Sequence, residues 1–166
     1  MPQAAVETII QDNEAALLRY AWRYLHDDAS AQDAVQIAFI KYVHHDKVIF
    51  NPRAWLFRAV RNHCLNLLKQ QQRRPEISLE HTVEQSNGNS DAPDMEMIKY
   101  EDGQIIRRCI DKLKPKHKEV VVLKLEHGRS YREIAMIMQA TVSNVGFMLH
   151  EAMKQLRSDL AEELVR

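Results

Sequence analysis

Residues 128–149 read Gly128-Arg129-Ser130-Tyr131-Arg132-Glu133-Ile134-Ala135-Met136-Ile137-Met138-Gln139-Ala140-Thr141-Val142-Ser143-Asn144-Val145-Gly146-Phe147-Met148-Leu149, and this run decides the fold. Ser130 stands three residues before Glu133. At that spacing a hydroxyl accepts from a backbone N–H in the first helical turn while the carboxylate reaches back to the cap residue's own N–H. A short helix to Met138 follows. After the turn Gln139-Ala140, Thr141 caps a second helix running to about Leu164, with Val142, Val145, Leu149, Ala152, Leu156 and Leu160 as its inward stripe. A short capped helix, a tight turn and a longer helix make a helix-turn-helix candidate, whose second helix offers its N-terminal residues to a major groove. An ordinary pair of packed helices has the same spacing, so the pattern alone leaves both open.

Upstream of this run, Gly128 stands where a helix C-terminus takes a left-handed residue. It ends a helix that starts at Pro115 and contains Val120-Val121-Val122-Leu123-Lys124-Leu125. A further helix is expected over about 94–113, from Ile98, Ile105, Ile106, Ile110 and Leu113, although Gly103 weakens it. Before that lies a polar stretch, Gln85-Ser86-Asn87-Gly88-Asn89-Ser90-Asp91-Ala92-Pro93, within a segment that Pro75 and Pro93 bracket. It has no helical periodicity and reads as a linker.

The N-terminal part reads as three or four helices. The first spans Ala4 to Leu25, with Val6, Ile9, Ile10, Leu17, Leu18, Ala21, Trp22 and Leu25 apolar and a break expected near Asn13. Asp28 or Ser30 caps the next, about 30–44, which buries Ala31, Ala34, Val35, Ala38 and Tyr42. After a loop from His44 to Phe50, Asn51 caps a long helix with Pro52 at its first position, where the missing N–H costs nothing. Arg73-Arg74-Pro75 stops it near Gln72. The fold class is therefore all-α: two small helical domains, 1–75 and 97–166, joined by a flexible acidic linker, 76–96, with the helix-turn-helix in the second.

Composition narrows the function. Of 166 residues, 45% are hydrophobic and only four are Gly, which supports a helical core and removes the Gly-rich loops that cradle nucleotide phosphates. The N-terminus has no basic start and no apolar run, so no secretory signal and no membrane insertion are expected, and the chain reads as cytoplasmic. Cys64 and Cys109 are solitary, as reduced thiols are. Net charge is zero but segregated. Residues 1–40 hold six acids against Arg19 and Arg23, residues 51–75 hold six bases and no acid, and residues 76–98 hold six acids and no Lys or Arg. Residues 97–166 hold thirteen bases and ten acids. Blocks of this kind suit several different partners along one chain, with the basic block as a phosphate surface.

Two further groups of residues stand out. Opposite the buried stripe of helix 30–44 lie Asp33, Gln36, Ile37 and Ile40, and two isoleucines on a face that should be wet suggest a protein-binding surface. Coverage by another helix of the domain would explain them equally well. The acid-free helix 51–74 carries Arg53, Arg58, Arg61 and Lys69 with Trp55, Phe57 and Asn62, and the loop before it holds His44, His45 and Phe50. Basic groups track phosphates, while aromatic and amide groups stack on or hydrogen-bond unpaired bases. The competing reading is a solvated basic face. Trp55 itself is expected in the core.

These groups together resemble one family. Asp33-Ala34-Val35-Gln36-Ile37-Ala38-Phe39 is similar to the D-x-V-Q-x-x-F core-binding segment of bacterial sigma factors. Pro52-Arg53-Ala54-Trp55-Leu56-Phe57-Arg58-Ala59-Val60-Arg61-Asn62 is similar to their W-L-[FY]-R-I-A-x-N helix. Leu113 to Leu123 and Gly128 to Ala135 resemble L-x-P-x-x-R-x-V-x-x-L and G-x-S-Y-x-E-I-A of their C-terminal domain. The resemblance is to the extracytoplasmic-function (ECF) group of the sigma-70 family and covers nearly the whole chain except the linker. It implies a transcription initiation factor without catalytic site, cofactor or metal, which binds DNA in company with RNA polymerase. By the same resemblance, Asp33, Gln36, Ile37 and Ile40 dock on the polymerase clamp. His45, Phe50, Asn51, Arg53, Arg58, Arg61, Asn62 and Lys69 capture and melt the −10 element. Lys124, Arg129, Arg132, Ser143, Asn144, Phe147 and His150 serve the −35 element beside the β-flap. The acidic linker threads the polymerase channels, and an anti-sigma factor is a further partner. Two departures stand out: Ile37 replaces the usual acid after Gln36, and Val142 to Glu151 contains no Lys or Arg.

Two other classes compete with this one. A free-standing helix-turn-helix regulator accounts for the C-terminal part but leaves the Ile37/Ile40 face and the acidic linker without a role. Eight histidines invite a metal or catalytic site. Yet His63 and Cys64, adjacent on a helix, point about 100° apart. His44-His45 have only Asp46 beside them.

Overall fold

The computed structural model describes residues 3–73 and 94–165, with side chains over 5–73 and 103–165, and every element within them is helical. Helix α1 spans Gln3–Leu25, α2 Asp28–Val43, α3 Pro52–Arg73, α4 Asp94–Asp111, α5 Pro115–Val121, α6 Tyr131–Met138 and α7 Val142–Leu164. Residues 76–93 of the expected linker lie outside the described residues, while 94–96 already belong to α4.

Packing divides the described helices into two units, one of α1, α2, α3 and α6, the other of α4, α5 and α7 from Ser143 onward. In the first, α1, α2 and α3 pack against one another and α6 packs on α3. Leu17, Tyr20, Leu56, Phe57 and Val60 are fully buried there. The Tyr20 and Phe57 rings sit 5.0 Å apart, and such a pair contributes about 0.5–1.5 kcal/mol beyond its area burial.

Helix α1 does not break at Asn13. The Asn13 side chain is buried, and its Nδ2 donates to the Ile9 carbonyl at 2.7 Å while its Oδ1 accepts from Arg53 Nε at 3.0 Å. An amide satisfied at both ends does not compete for the helix's own N–H groups, so the expected interruption is absent. Helix α1 ends at His26, which takes the left-handed conformation (φ 51°) and donates its N–H to the Trp22 carbonyl at 2.8 Å. That turn brings Asp27, rather than Asp28 or Ser30, to the cap of α2, where its carboxylate accepts from Ser30 N–H at 2.8 Å. The α2 stripe is as read, with Phe39 added. Asn51 caps α3 as expected, its Oδ1 accepting from Ala54 N–H at 3.0 Å.

In the second unit, α5 continues into a π-helical turn, Val122–Glu126, and Gly128 (φ 62°) closes it, with the Arg129 N–H returning to the Leu123 carbonyl at 2.9 Å. Helix α4 passes through Gly103 without interruption, and a Cβ there would meet nothing within 4 Å. Cys109, Leu113 and Val120 to Leu123 are buried. Glu163 of α7 meets Lys112 at 3.1 Å and Arg108 at 4.0 Å on α4.

The buried stripe of α7 is Val145, Met148, Leu149, Ala152 and Leu156. Val142, expected inward, is 46% exposed. It is the first residue of the helix, with no preceding turn to set its direction inward, and Met148 extends the stripe on its far side instead.

Candidate nucleic-acid and protein interfaces

The six buried residues of α2 all face α1 and α3, which leaves its other side uncovered. Asp33, Gln36 and Ile40 are exposed, Ile40 at 58%. Ile37 is half-buried and not on the open surface as expected, because it lies between the stripe and the outer face. Lys41 borders this face and, with burial as the larger cause, holds His63 below the usual imidazole pKa, partly offset by Asp33.

The loop between α2 and α3 is open to solvent. Phe50 is 96% exposed and Val48 75%. Beneath the loop lies a cleft of about 420 Å³ lined by Val6, Tyr42, Val43, His45, Asp46, Lys47, Val48 and Ile49. The His45 ring lies 5.3 Å from the Trp55 ring and the Tyr42 ring 5.8 Å from it. Trp55 is therefore half-buried, a wall between core and loop rather than the core residue expected. Burial raises the Tyr42 pKa above the ordinary phenol value.

On α3 the basic residues separate. Arg58, Asn62 and Lys69 follow one line along the helix, at i, i+4 and i+11. Lys69 is exposed, Arg61 and Asn62 are half-buried. Arg58 is exposed but engaged: in the orientation that satisfies both residues, the Gln139 amide oxygen accepts from its Nε at 3.1 Å and Nη2 at 2.7 Å. Arg53 points elsewhere, to Asn13 on α1. Asn51 uses its remaining Nδ2 to donate to Glu133 Oε1 at 3.3 Å. Phe57, read as part of this constellation, is 1% exposed and belongs to the core. Cys64 is buried on the same helix, and burial pushes its thiol up to about 12, so it stays protonated and unreactive.

The capping box before α6 is present in full: Glu133 N–H donates to Ser130 Oγ at 3.2 Å, and Ser130 N–H donates to Glu133 Oε2 at 2.8 Å. Gln139, left-handed at φ 55°, ends α6, and three residues later α7 begins. Along α7, Ser143, Asn144, Phe147 and His150 are exposed, Phe147 at 63%. Lys124 and Arg129 are half-buried, the latter donating from Nε to the His127 carbonyl at 2.7 Å, whereas Arg132 on α6 is exposed.

One cluster escaped the sequence reading. Lys114 and His117, at the start of α5, line a cleft of about 330 Å³ with Glu151, Lys154, Gln155, Ser158 and Asp159 of α7. Lys154 lies two turns beyond Phe147 on the same face, a spacing that would have pointed to it. The approach of α5 would not have been visible. Among the described residues no group of three or more His, Cys, Asp and Glu is placed to hold a metal, and no helix is long and apolar enough to cross a membrane.

Known proteins resemble this chain over most of its length. Residues 9–74 match the family model Sigma-70 region 2, and residues 103–156 match Sigma-70, region 4. The chain is 30% identical to the ECF RNA polymerase sigma-E factor of Escherichia coli, over 86% of this chain and 85% of that one. It is 28% identical to the ECF RNA polymerase sigma factor SigL of Mycobacterium tuberculosis, over 96% of this chain and 92% of that one. Its fold is similar to the sigma factor RpoE solved with the anti-sigma factor NepR from Bartonella quintana, with a TM-score of 0.65, 18% identity and coverage of 93% and 96%.

Proposed function

The chain belongs to the sigma-70 family of RNA polymerase sigma factors, in the ECF group, and from that premise we propose how its surfaces divide the work of directing polymerase to promoters. The family is non-catalytic, and this chain acts by binding. The observation that carries the division is the open side of α2. Asp33, Gln36 and Ile40 present two polar groups around an apolar anchor, the composition of a protein contact, and core RNA polymerase docks there through its clamp. Ile37 contributes at the edge.

The loop 44–51 and α3 take the −10 element. A base flipped from the stack costs a few kcal/mol. The cleft beneath the loop offers Tyr42 and His45 to return that cost, and Phe50 adds an exposed ring for stacking. Lys69, Arg58, Arg61 and Asn62 follow the phosphates and edges of the melted strand. Arg58 must first exchange its Gln139 acceptor for a phosphate, and Asn51 its Glu133 acceptor, so α6 and DNA compete for the same donors. Arg53 supports the face from behind by holding Asn13. The −10 and clamp contacts fall to residues 1–75 and the −35 and β-flap contacts to residues 97–166, of which α6 packs on α3, and the acidic segment 76–96 passes through basic polymerase channels. Lys124, Arg129 and Arg132 give phosphate contacts, and Ser143, Asn144, Phe147 and His150 face the −35 element.

The protein works in the cytoplasm, where its polymerase is. The similarity to a sigma factor solved with an anti-sigma factor supports a partner of that kind here, covering the exposed apolar residues while the factor is silent.

The test is capture of core polymerase by the full chain, followed by run-off transcription on genomic fragments. Promoter-dependent transcripts with the chain, and none without it, are expected. Substitutions at Phe50 and His45 should change which −10 sequence is opened. Binding of duplex operator DNA without polymerase, and no gain in initiation, would replace this reading with that of a free-standing regulator.

A further inference from the structure

The loop between α2 and α3 buries little of itself. Residues 43–48 and Phe50 are exposed, with Ile49 half-buried between them. A loop held by so little burial takes its position from its two ends. At the first, His44 donates its N–H to the Ile40 carbonyl at 3.1 Å, and its ring Nδ1 lies 2.9 Å from the same oxygen. At the second, Asn51 caps α3, and Arg53, the second residue of that helix, reaches Asn13 on α1. Asn13 is only 5% exposed, a place where an amide is stable when its polar ends are bonded. Its Nδ2 donates to the Ile9 carbonyl at 2.7 Å, which orients the amide, and its Oδ1 accepts from Arg53 Nε at 3.0 Å. Val6, a wall of the cleft beneath the loop, stands seven residues before Asn13 on α1. Seven residues fall about 20° short of two full turns, so both lie on one stripe of the helix, about 10 Å apart along it. One short stretch of α1 therefore supplies a wall of the cleft and a polar tie to the end of the loop.

We propose that Asn13 and Arg53 are positioning residues for −10 recognition: their hydrogen bond sets the opening of the cleft between Val6 and the loop, and so which unpaired base it accepts, without either side chain touching DNA. This rests on the promoter-directing function proposed above and assigns Arg53 to specificity rather than to phosphate binding. Apolar packing holds α1 against α3 but is non-directional, so it tolerates small sliding. A hydrogen bond fixes distance and angle together, and this one is placed where the loop joins α3.

The experiment uses holoenzyme reconstituted from the full chain and core polymerase. It is supplied with a promoter library randomised over the −10 element below a constant −35 element, and the transcripts are sequenced. Arg53→Met keeps the length of the side chain and removes donor and charge together. Arg53→Gln removes the charge but places an amide N–H as many bonds from the backbone as Arg Nε. Arg53→Met and Asn13→Leu should each lower discrimination at one −10 position by roughly fivefold, the lower end of what a single base position contributes. The double variant should lose no more than either, because both remove the same bond. Arg53→Gln should retain most of the preference. Both Arg53 variants should keep the salt dependence of the unsubstituted promoter complex, whereas a lost phosphate contact would flatten the slope by roughly 0.7–0.9. Arg53 is exposed, so its variants carry the test even where Asn13→Leu does not fold. An unchanged −10 preference in Arg53→Met overturns the proposal while leaving promoter-directed initiation intact. So does a loss in Arg53→Gln equal to that in Arg53→Met, or a slope flattened by one contact in both. Failure of the unsubstituted chain to initiate at any promoter overturns the underlying reading and this one together.

Discussion

Replacing Ile40 by Asp separates a binding role from a folding role on the open side of α2. Ile40 is 58% exposed, so less than half of its surface is withdrawn from water by the fold. Complete burial of an isoleucine is worth about 1.5–3 kcal/mol, and the buried share of Ile40 scales this to about 0.6–1.3 kcal/mol, an upper bound because the unfolded chain already shields some surface. The helix-propensity change is a few tenths more. A loss near 1 kcal/mol lowers the Tm of a small domain by about 4–8 °C and leaves the protein folded at room temperature. If the side chain anchors the polymerase contact, removing it and placing a charge against an apolar pocket should cost at least ~2 kcal/mol of binding, or roughly thirtyfold in Kd. Thermal melting by circular dichroism and titration of labelled core polymerase measure the two quantities on the same sample. Ile37→Asp should show the opposite balance, with the larger loss in stability, since that side chain is half-buried. Equal polymerase affinity for Ile40→Asp and the unsubstituted chain would refute the docking face. So would loss of binding that only accompanies loss of the fold.

Three further outcomes are expected. Arg58→Ala combined with Lys69→Ala should flatten the salt dependence of the promoter complex by about 1.4–1.8 in slope, at roughly 0.7–0.9 per phosphate contact, and an unchanged slope would remove α3 from the DNA. Ser130→Ala breaks the capping box before α6 and should cost about 1 kcal/mol in thermal or urea unfolding, with an unaltered midpoint counting against the cap's contribution. His63 has its pKa depressed in the fold, first by burial and then by Lys41, so its contribution is complete above the unfolded value near ~6.5 and is lost as pH falls through the folded value. His63→Gln should therefore melt less steeply with acidification than the unsubstituted chain, and parallel pH profiles would show that His63 is not responsible.

Helix existence and helix starts were legible because their causes are local. Pro52 after Asn51, Pro115, and the Ser130/Glu133 pair each act within one turn of chain, and all three appear in the structure where they were read. Helix ends were legible too, α1 at Leu25, α6 at Met138 and α3 within one residue of Gln72, but the conformation that closes a helix was legible only where Gly marked it. Gly128 announced its left-handed turn, but His26 and Gln139 take the same conformation with no such residue to signal it. An L-residue there costs roughly 1–2 kcal/mol, which packing of the helices on either side must offset, and packing is not written in local sequence. The shift of the α2 cap to Asp27 follows from the His26 turn and was hidden for the same reason.

The sequence by itself determined the all-helical class, the order of the helices, the buried stripe of α2 and the bases and acids available to each surface. Periodicity and composition set these, and they depend only on residues a few positions apart. Tertiary structure alone decided which of those groups are at liberty to act. It buried Phe57, turned Trp55 into a wall beneath His45, drew Arg53 to Asn13 and Arg58 to Gln139, and brought Lys114 and His117 beside Lys154. Each of these joins residues from different helices, where distance is set by how the helices pack, so two chemically equivalent arginines on one helix end with different neighbours and different work.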